Sequence, residues 1–343
     1  MCESIDQTIR FVGRDSFLFE PVPDWAQLPE GWKFNEAVAV AVDSQDRVFV
    51  FSRSEHPVMI FDRDGIFLNA WGEGLFERPH GLLIGPDDSV FCIDDVGHAI
   101  YRFTPDGELL ATMGTPGKCS DTGVVNGDYR TLKQPAGPFN LPTNLALGAN
   151  GEIYVADGYG NARIHRFSAD GELLDSWGKP GSGPGEFAVP HDVAVRSDGT
   201  VFVCDRENSR IQLFSPEGEF LSEWTTPARP CQVVFDKQNN GFVAELGLQV
   251  GYYLDHDYPG RERIPSRVGV YDPNGELLTT WGHGDYGVPG ELYAAHGIAL
   301  DSHGDIYVGE VRPSMYGATD GAKPPWPLPP ADAPVLQKFV RCD

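Results

Sequence analysis

The sequence is poor in positive charge. Its 343 residues carry 26 Lys and Arg against 50 Asp and Glu, a formal net charge of −24 at pH 7. It contains no basic run. Nucleic acid and anionic membrane surfaces are both recognised by clustered Lys and Arg, so the composition argues against either as a partner. Long apolar runs are missing too: none approaches the roughly 20 residues that a membrane-spanning helix needs. The opening stretch, MCESIDQTIRFVGRDSF, lacks the basic-then-apolar pattern of a secretory signal. The six cysteines (Cys2, Cys92, Cys119, Cys204, Cys231 and Cys342) form no CxxC pair and no disulfide-rich spacing. These absences predict a soluble, reduced, cytoplasmic protein.

Turn formers, by contrast, are plentiful. Glycine, with 40 residues, and proline, with 28, point to many short strands joined by turns. Hydrophobic residues make up 41%, enough for a sizeable core. Self-similarity is plain along the chain. Copies run over residues 37–72, 78–114, 141–178 and 189–224. A fifth starts near Arg229 and ends in VGVYDPNGELLTTWG, and a sixth runs from AAHGIALDSHGDIYVGE to VLQKFV. Each copy has four apolar runs separated by turns such as SDG, PDG, ADG and PNG. One four-stranded unit cannot bury both of its faces, so neighbours must stack into a closed ring. The reading is an all-β, six-bladed β-propeller, with four antiparallel strands per blade and one domain over residues 1–343. The sixth copy lacks a clear fourth strand, which residues 9–20, IRFVGRDSFLFE, are expected to supply.

Aligning the copies on their turns gives one equivalent position per blade: Val38, His80, Thr143, His191, Cys231 and His296. The second strand is expected to begin ten residues later in every copy, at Val48, Val90, Ile153, Val201, Gly241 and Ile306. First strands line the central channel, so the six positions form a ring, with histidine in alternate blades. Three neutral imidazoles with an open position are the ligand set of a catalytic Zn²⁺. Imidazole also suits other divalent transition metals. The plainer alternative is a polar channel lining bonded to water. Recurrence of histidine at one repeat position favours the metal.

The second strand returns to the histidine end, so residues about fifteen positions past the ring belong to the same mouth. They include Arg53 in FSRSEH, Tyr159 in ADGYGN and Arg206 in CDREN. An acidic residue precedes this position in five blades: Asp94, Asp157, Asp205, Glu245 and Glu310. Its recurrence points to a structural hydrogen bond. Surface ion pairs and a rim aromatic would account for Arg53, Arg206 and Tyr159. Beside a metal, however, a tyrosine can act as a general base, and an arginine offers a planar fork to a carboxylate or an oxyanion. Insertions at about 115–141, 247–267 and 312–334 are expected over this mouth, as a partial lid or as surface decoration.

The segments YVAD…NARI…FSADG and FVCDRENSRIQLF resemble the NHL repeat family. The mouth residues are similar to a narrower group, the lyase domain of peptide-amidating enzymes. That resemblance implies a six-bladed propeller holding a catalytic zinc on three histidines and cleaving a carbinolamide N–C bond to an amide and glyoxylate. RPHGL, VPHDV and AHGIA carry the ligand role to His80, His191 and His296. DGYGNARI carries the catalytic tyrosine to Tyr159, and the active-site arginines fall on Arg53 and Arg206. The chain departs from that family at Ala294, where a methionine is usual, and at Gly160, where a cysteine is usual. Gly297 stands in place of an aspartate that helps bind a structural calcium, which leaves calcium open. The expected disulfides have no partners. These departures fit a bacterial-type relative acting on a small molecule better than a secreted peptide-hormone enzyme.

Two other function classes stay open at this point, as does a zinc lyase acting on a C–C or C–O bond. A metal-dependent lactonase-type hydrolase could use the same metal with activated water, although such enzymes more often hold calcium on carboxylate and Asn ligands. A non-catalytic NHL interaction module usually presents a basic or apolar face, unlike this acidic chain.

Overall fold

In each repeat, β-branched and aromatic residues alternate between two packed faces, and short turns rich in Asp, Asn and Gly reverse the chain. In the turn after residues 58–61, the Asp62 carboxylate accepts the N–H groups of Asp64 and Ile66. Gly65 there takes φ +86°, a conformation other residues rarely adopt. A computed structural model describes residues 11–248, 264–282, 288–312, 314 and 333–342. It contains six antiparallel sheets, one per repeat. The expected starts of all six second strands hold: Val48, Val90, Ile153, Val201, Gly241 and Ile306.

Blades one to five are four-stranded in simple up-and-down order. The sixth is built from both ends of the chain. Its first three strands are Ala295–Leu300, Ile306–Glu310 and Leu336–Arg341, and Phe17–Val22 pairs antiparallel with the last of them. The expected closure is thus present, and the hairpin strand Val12–Arg14 adds a fifth. Residues 9 and 10 of the expected segment lie outside the described residues. Phe19 on the closing strand is fully buried against Trp281, with ring centroids 5.2 Å apart. Burying one such side chain contributes roughly 1.5–3 kcal/mol. Apolar clusters lie between adjacent blades, as one joining Tyr154, Ile164, Val201 and Phe214 does between blades three and four. No helix among the described residues is long and apolar enough to cross a membrane.

First strands pack side by side around the axis. In every blade their pairing with the second strand is interrupted by a β-bulge at the ring position. In blade four, for example, Pro190 pairs with Asp205 and Asp192 with Cys204, leaving His191 as the extra residue. The same shift spans Val38, His80, Thr143, Cys231 and His296. A bulge re-aims the side chain it carries. This places a histidine immediately after the proline of a strand and turns it toward the channel.

Candidate metal centre

His80, His191 and His296 are all buried, with 2%, 2% and 6% of their surface exposed. Their ring centroids stand 5.0, 5.0 and 4.7 Å apart, mutually inclined by 62°, 72° and 85°. One nitrogen from each lies within 4.8 Å of the other two. Each Nδ1 is held by the backbone of the next blade. His80 Nδ1 donates to Thr143 O at 2.7 Å, His191 Nδ1 to Cys231 O at 2.8 Å, and His296 Nδ1 to Val38 O at 2.7 Å. A carbonyl only accepts, so each Nδ1 carries the proton and each Nε2 presents a lone pair. The non-histidine ring positions therefore orient the imidazoles through their main chain.

The three Nε2 atoms are short of donors. Tyr159 Oη lies 2.9 Å from Nε2 of both His80 and His191, yet it has one proton to give. Nε2 of His296 has no donor among the described residues. Burial holds all three imidazoles below their ordinary range, helped by neighbouring histidines and arginines; for His296 the value falls to about 3. They are neutral at pH 7. A buried set of neutral imidazoles with undonated lone pairs and fixed tautomers fits a divalent metal ion.

Tyr159 reaches this set because of its neighbours. A Cβ at Gly158 would lie 2.1 Å from Pro190 O, and one at Gly160 would lie 2.1 Å from Asn140 Oδ1. Only glycine fits on either side. In the other blades the fifteenth residue past the ring donates its N–H to the residue two before the ring, as Arg53 does to Glu36 O and Arg206 to Val189 O. In blade three Gly158 occupies that place, and Tyr159, one residue later, makes the bond to Leu141 O at 3.2 Å.

Arg206 is no surface residue. It is 5% exposed, its guanidinium stands 5.3 Å from the Tyr159 ring centre, and its Nη1 donates to Oη at 3.3 Å. Buried Glu207 accepts from Arg206 Nε at 2.8 Å and also binds Arg229. Arg53 lines the same cavity, but its bonds run to Glu36, Ser314 and Pro79 O. Of the two arginines, Arg206 is the one on the phenol. The Tyr159 phenol is held above its ordinary range, by burial first and also by Asp95, while Arg206, Arg78 and Arg53 pull the other way.

Sequence reasoning missed Arg78. Its guanidinium lies 5.8 Å from the Tyr159 ring centre and is bound to buried Asp95. It also missed the ion-pair partners Glu36, Glu207 and Arg229. A signal was available, since Glu36, Arg78 and Arg229 all stand two residues before the ring. The five recurrent carboxylates do serve structure: each accepts backbone N–H groups from the segment entering its own blade, as Asp205 does from Ala188 and Glu310 from Tyr293 and Ala294. At Gly297 an added Cβ would lie 2.8 Å from Ala39 Cα, so no larger side chain fits there.

Above the histidines is a cavity of about 400 Å³ lined by Arg53, Arg78, Tyr159, Arg206 and His296. Asn126 and Gly127 from the link at 115–141 also line it, and Tyr129 from that link packs against Ala188, Val189 and Tyr159. Most of the insertions at 247–267 and 312–334 lies outside the described residues, although Ser314 reaches the cavity wall.

A family model described as a 6-bladed beta-propeller matches residues 144–248. NHL repeat-containing protein 3 of Mus musculus is 34% identical over 200 residues, 53% of this chain and 54% of that protein. Peptidyl-alpha-hydroxyglycine alpha-amidating lyase 1 of Drosophila melanogaster is 30% identical over 271 residues, 71% of this chain and 44% of that protein. The matches thus span about half the length of these curated relatives. Among solved structures, a streptogramin B lyase superposes with a TM-score of 0.56 at 13% identity, covering 96% of this chain and 97% of that one. A gluconolactonase from Xanthomonas campestris superposes with a TM-score of 0.57 at 14% identity, covering 94% and 89%. The structural likenesses show the fold alone. The chain is a six-bladed β-propeller with homologues among NHL repeat proteins and amidating lyases.

Proposed function

We propose that this propeller is a metal-dependent lyase that splits a carbinolamide, an α-hydroxy N–C bond in a small molecule, into a carbonyl compound and an amide or amine. The supporting observation is the convergence of three imidazole Nε2 atoms beside Tyr159, which lines one cavity with His296, Arg53, Arg78 and Arg206. His80, His191 and His296 would hold the ion. Zinc is the first choice for three neutral imidazoles, and other divalent transition metals share that preference. When bound, the ion supplies Lewis acidity toward an oxygen of the substrate and a positive charge beside Tyr159.

Tyr159 takes the proton of the substrate hydroxyl. The electron pair left on that oxygen closes the C=O bond, the C–N bond breaks, and its pair leaves with nitrogen. Tyr159 returns the proton to the nitrogen, so the step is redox-neutral and Tyr159 ends as it began. Arg206 favours the phenolate through its contact with Oη. Arg53, facing the cavity, offers its fork to a substrate carboxylate.

The test is metal analysis of the purified protein, followed by an assay of the metal-loaded protein with an N-acyl-α-hydroxyglycine. The expected result is close to one ion per chain and release of glyoxylate with the free amide. An ion-loaded protein that leaves this substrate intact but opens lactones to acids would replace the lyase reading with a hydrolase. Absence of any bound transition metal would reduce the ring to a channel lining.

A further inference from the structure

The boundary between blades two and three carries a groove of about 500 Å³, lined by Phe91, Ile100, Met113, Leu147, Ile153 and Phe167. Its wall also includes Pro86, Asp87 and Gly151, in the turns where the first strands of blades two and three end. That places it at the end of the blades opposite the histidines. The repeat itself indicates what such a groove is shaped to hold.

In blades one, three, four and five the fourth strand ends in tryptophan: Trp71, Trp177, Trp224 and Trp281. Each indole packs on the last aromatic of the third strand in the next blade. Trp71 meets Phe103 at 4.9 Å, Trp177 meets Phe214 at 5.8 Å, Trp224 meets Tyr271 at 5.7 Å, and Trp281 meets Phe339 at 5.6 Å. Trp25, just after the closing strand, does the same to Phe61 at 5.7 Å. Blade two alone has no tryptophan there. Its fourth strand, LLATMG, carries Met113, paired with Ile100 in the register that pairs Trp71 with Val58 and Trp177 with Ile164.

Two further comparisons show that the place is open rather than filled differently. A Cβ added at Gly107, Gly218 or Gly275 would run into the indole of the preceding blade at 2.7, 2.6 or 2.3 Å. At Gly171, the equivalent glycine of blade three, an added Cβ would meet nothing within 4 Å. Phe139 does pack on Phe167, but Phe76 and Phe187 pack on Phe103 and Phe214 in the same way beside their tryptophans, so Phe139 is no substitute for the indole. A polar contact is available as well. Trp25 and Trp71 donate their ring N–H to the carbonyls of Arg63 and Pro105, whereas the ring N–H groups of Trp177 and Trp281 find no partner among the described residues. The equivalent residue in blade three is Ala169, which lines the groove and whose carbonyl accepts no hydrogen bond from the described residues.

We infer that this groove is a binding site for a small planar aromatic molecule bearing a ring N–H, of the indole class. The aromatic and aliphatic walls supply the apolar contact, and the Ala169 carbonyl accepts from the ring donor. The site is separate from the histidine mouth and does not depend on the reaction proposed there.

Indole itself is the probe. With methyl-labelled methionine, the Met113 methyl resonance should shift saturably as indole is added. Met59, fully buried in blade one, should not move. Met113→Trp places in the groove the side chain that its neighbours use. It should weaken indole binding by about tenfold or more and raise the thermal midpoint. An unmoved Met113 methyl at high indole, a Met59 shift as large as that of Met113, or a folded Met113→Trp protein that binds indole as the parent does would each overturn the assignment.

Discussion

The even and odd blades of this propeller use one repeat position in two chemically different ways. Blades two, four and six place an imidazole there; blades one, three and five place Val38, Thr143 and Cys231, small buried side chains that offer no imidazole. The odd blades nevertheless take part, because their carbonyls fix the Nδ1 protons of the even ones. Side-chain identity therefore matters in one set and main-chain geometry in the other. An outer partner of this kind both orients a ligand and raises its basicity. The lesson is that a residue without functional atoms can belong to a site through its carbonyl, provided a β-bulge is repeated in every blade to keep that carbonyl in register.

The comparison breaks first at an even blade. His191→Ala removes one of three nitrogens and leaves the others unable to close a ligand set. Metal content should fall from about one ion per chain toward none, and turnover should drop by at least roughly 10²–10³-fold. Elemental analysis beside the carbinolamide assay reads both. A variant that keeps its ion would mean that the metal is held elsewhere.

An odd blade supplies the next test, because blade three carries Tyr159, whose hydroxyl touches two of the histidines. Tyr159→Phe deletes Oη and keeps the ring between Arg78 and Arg206. Metal content should stay the same while turnover falls by roughly 10²–10⁴-fold, the range for loss of a general base. Full turnover in this variant would remove Tyr159 from the chemistry and leave it as packing.

Much of this was legible before any coordinates. The ten-residue step from ring to second strand depends only on a six-residue strand and a tight five-residue turn rich in Asp, Asn, Ser and Gly, and both leave period-two and turn signals in the sequence. The alternation of histidines followed from that register. The carbonyl partners were not legible, because a main-chain atom leaves no mark on residue type. Arg206 was read as a candidate surface ion pair because nothing in CDREN shows that Glu207 will be buried beneath it and shared with Arg229. The difference between NAWG, DSWG and TTWG on one side and ATMG on the other was visible throughout, but it acquires meaning only once the tryptophans are seen to pack across blade boundaries.

The smallest effect should come from Val38→Ala, which tests the other half of the comparison. Val38 is fully buried in an apolar cluster that joins residues of blades one and two to Cys231, Leu246, Ala294 and Val311. Losing two methyl groups there should cost about 1–3 kcal/mol of stability, read from a denaturant midpoint. The carbonyl that receives His296 Nδ1 is untouched, so metal content and turnover should match the parent once the protein is folded. If the ion is lost while stability changes little, the odd blades must act through their side chains after all. If stability falls and the ion stays, the two sets of blades divide the work as their hydrogen bonds indicate: imidazoles to hold the ion, and carbonyls to aim the imidazoles.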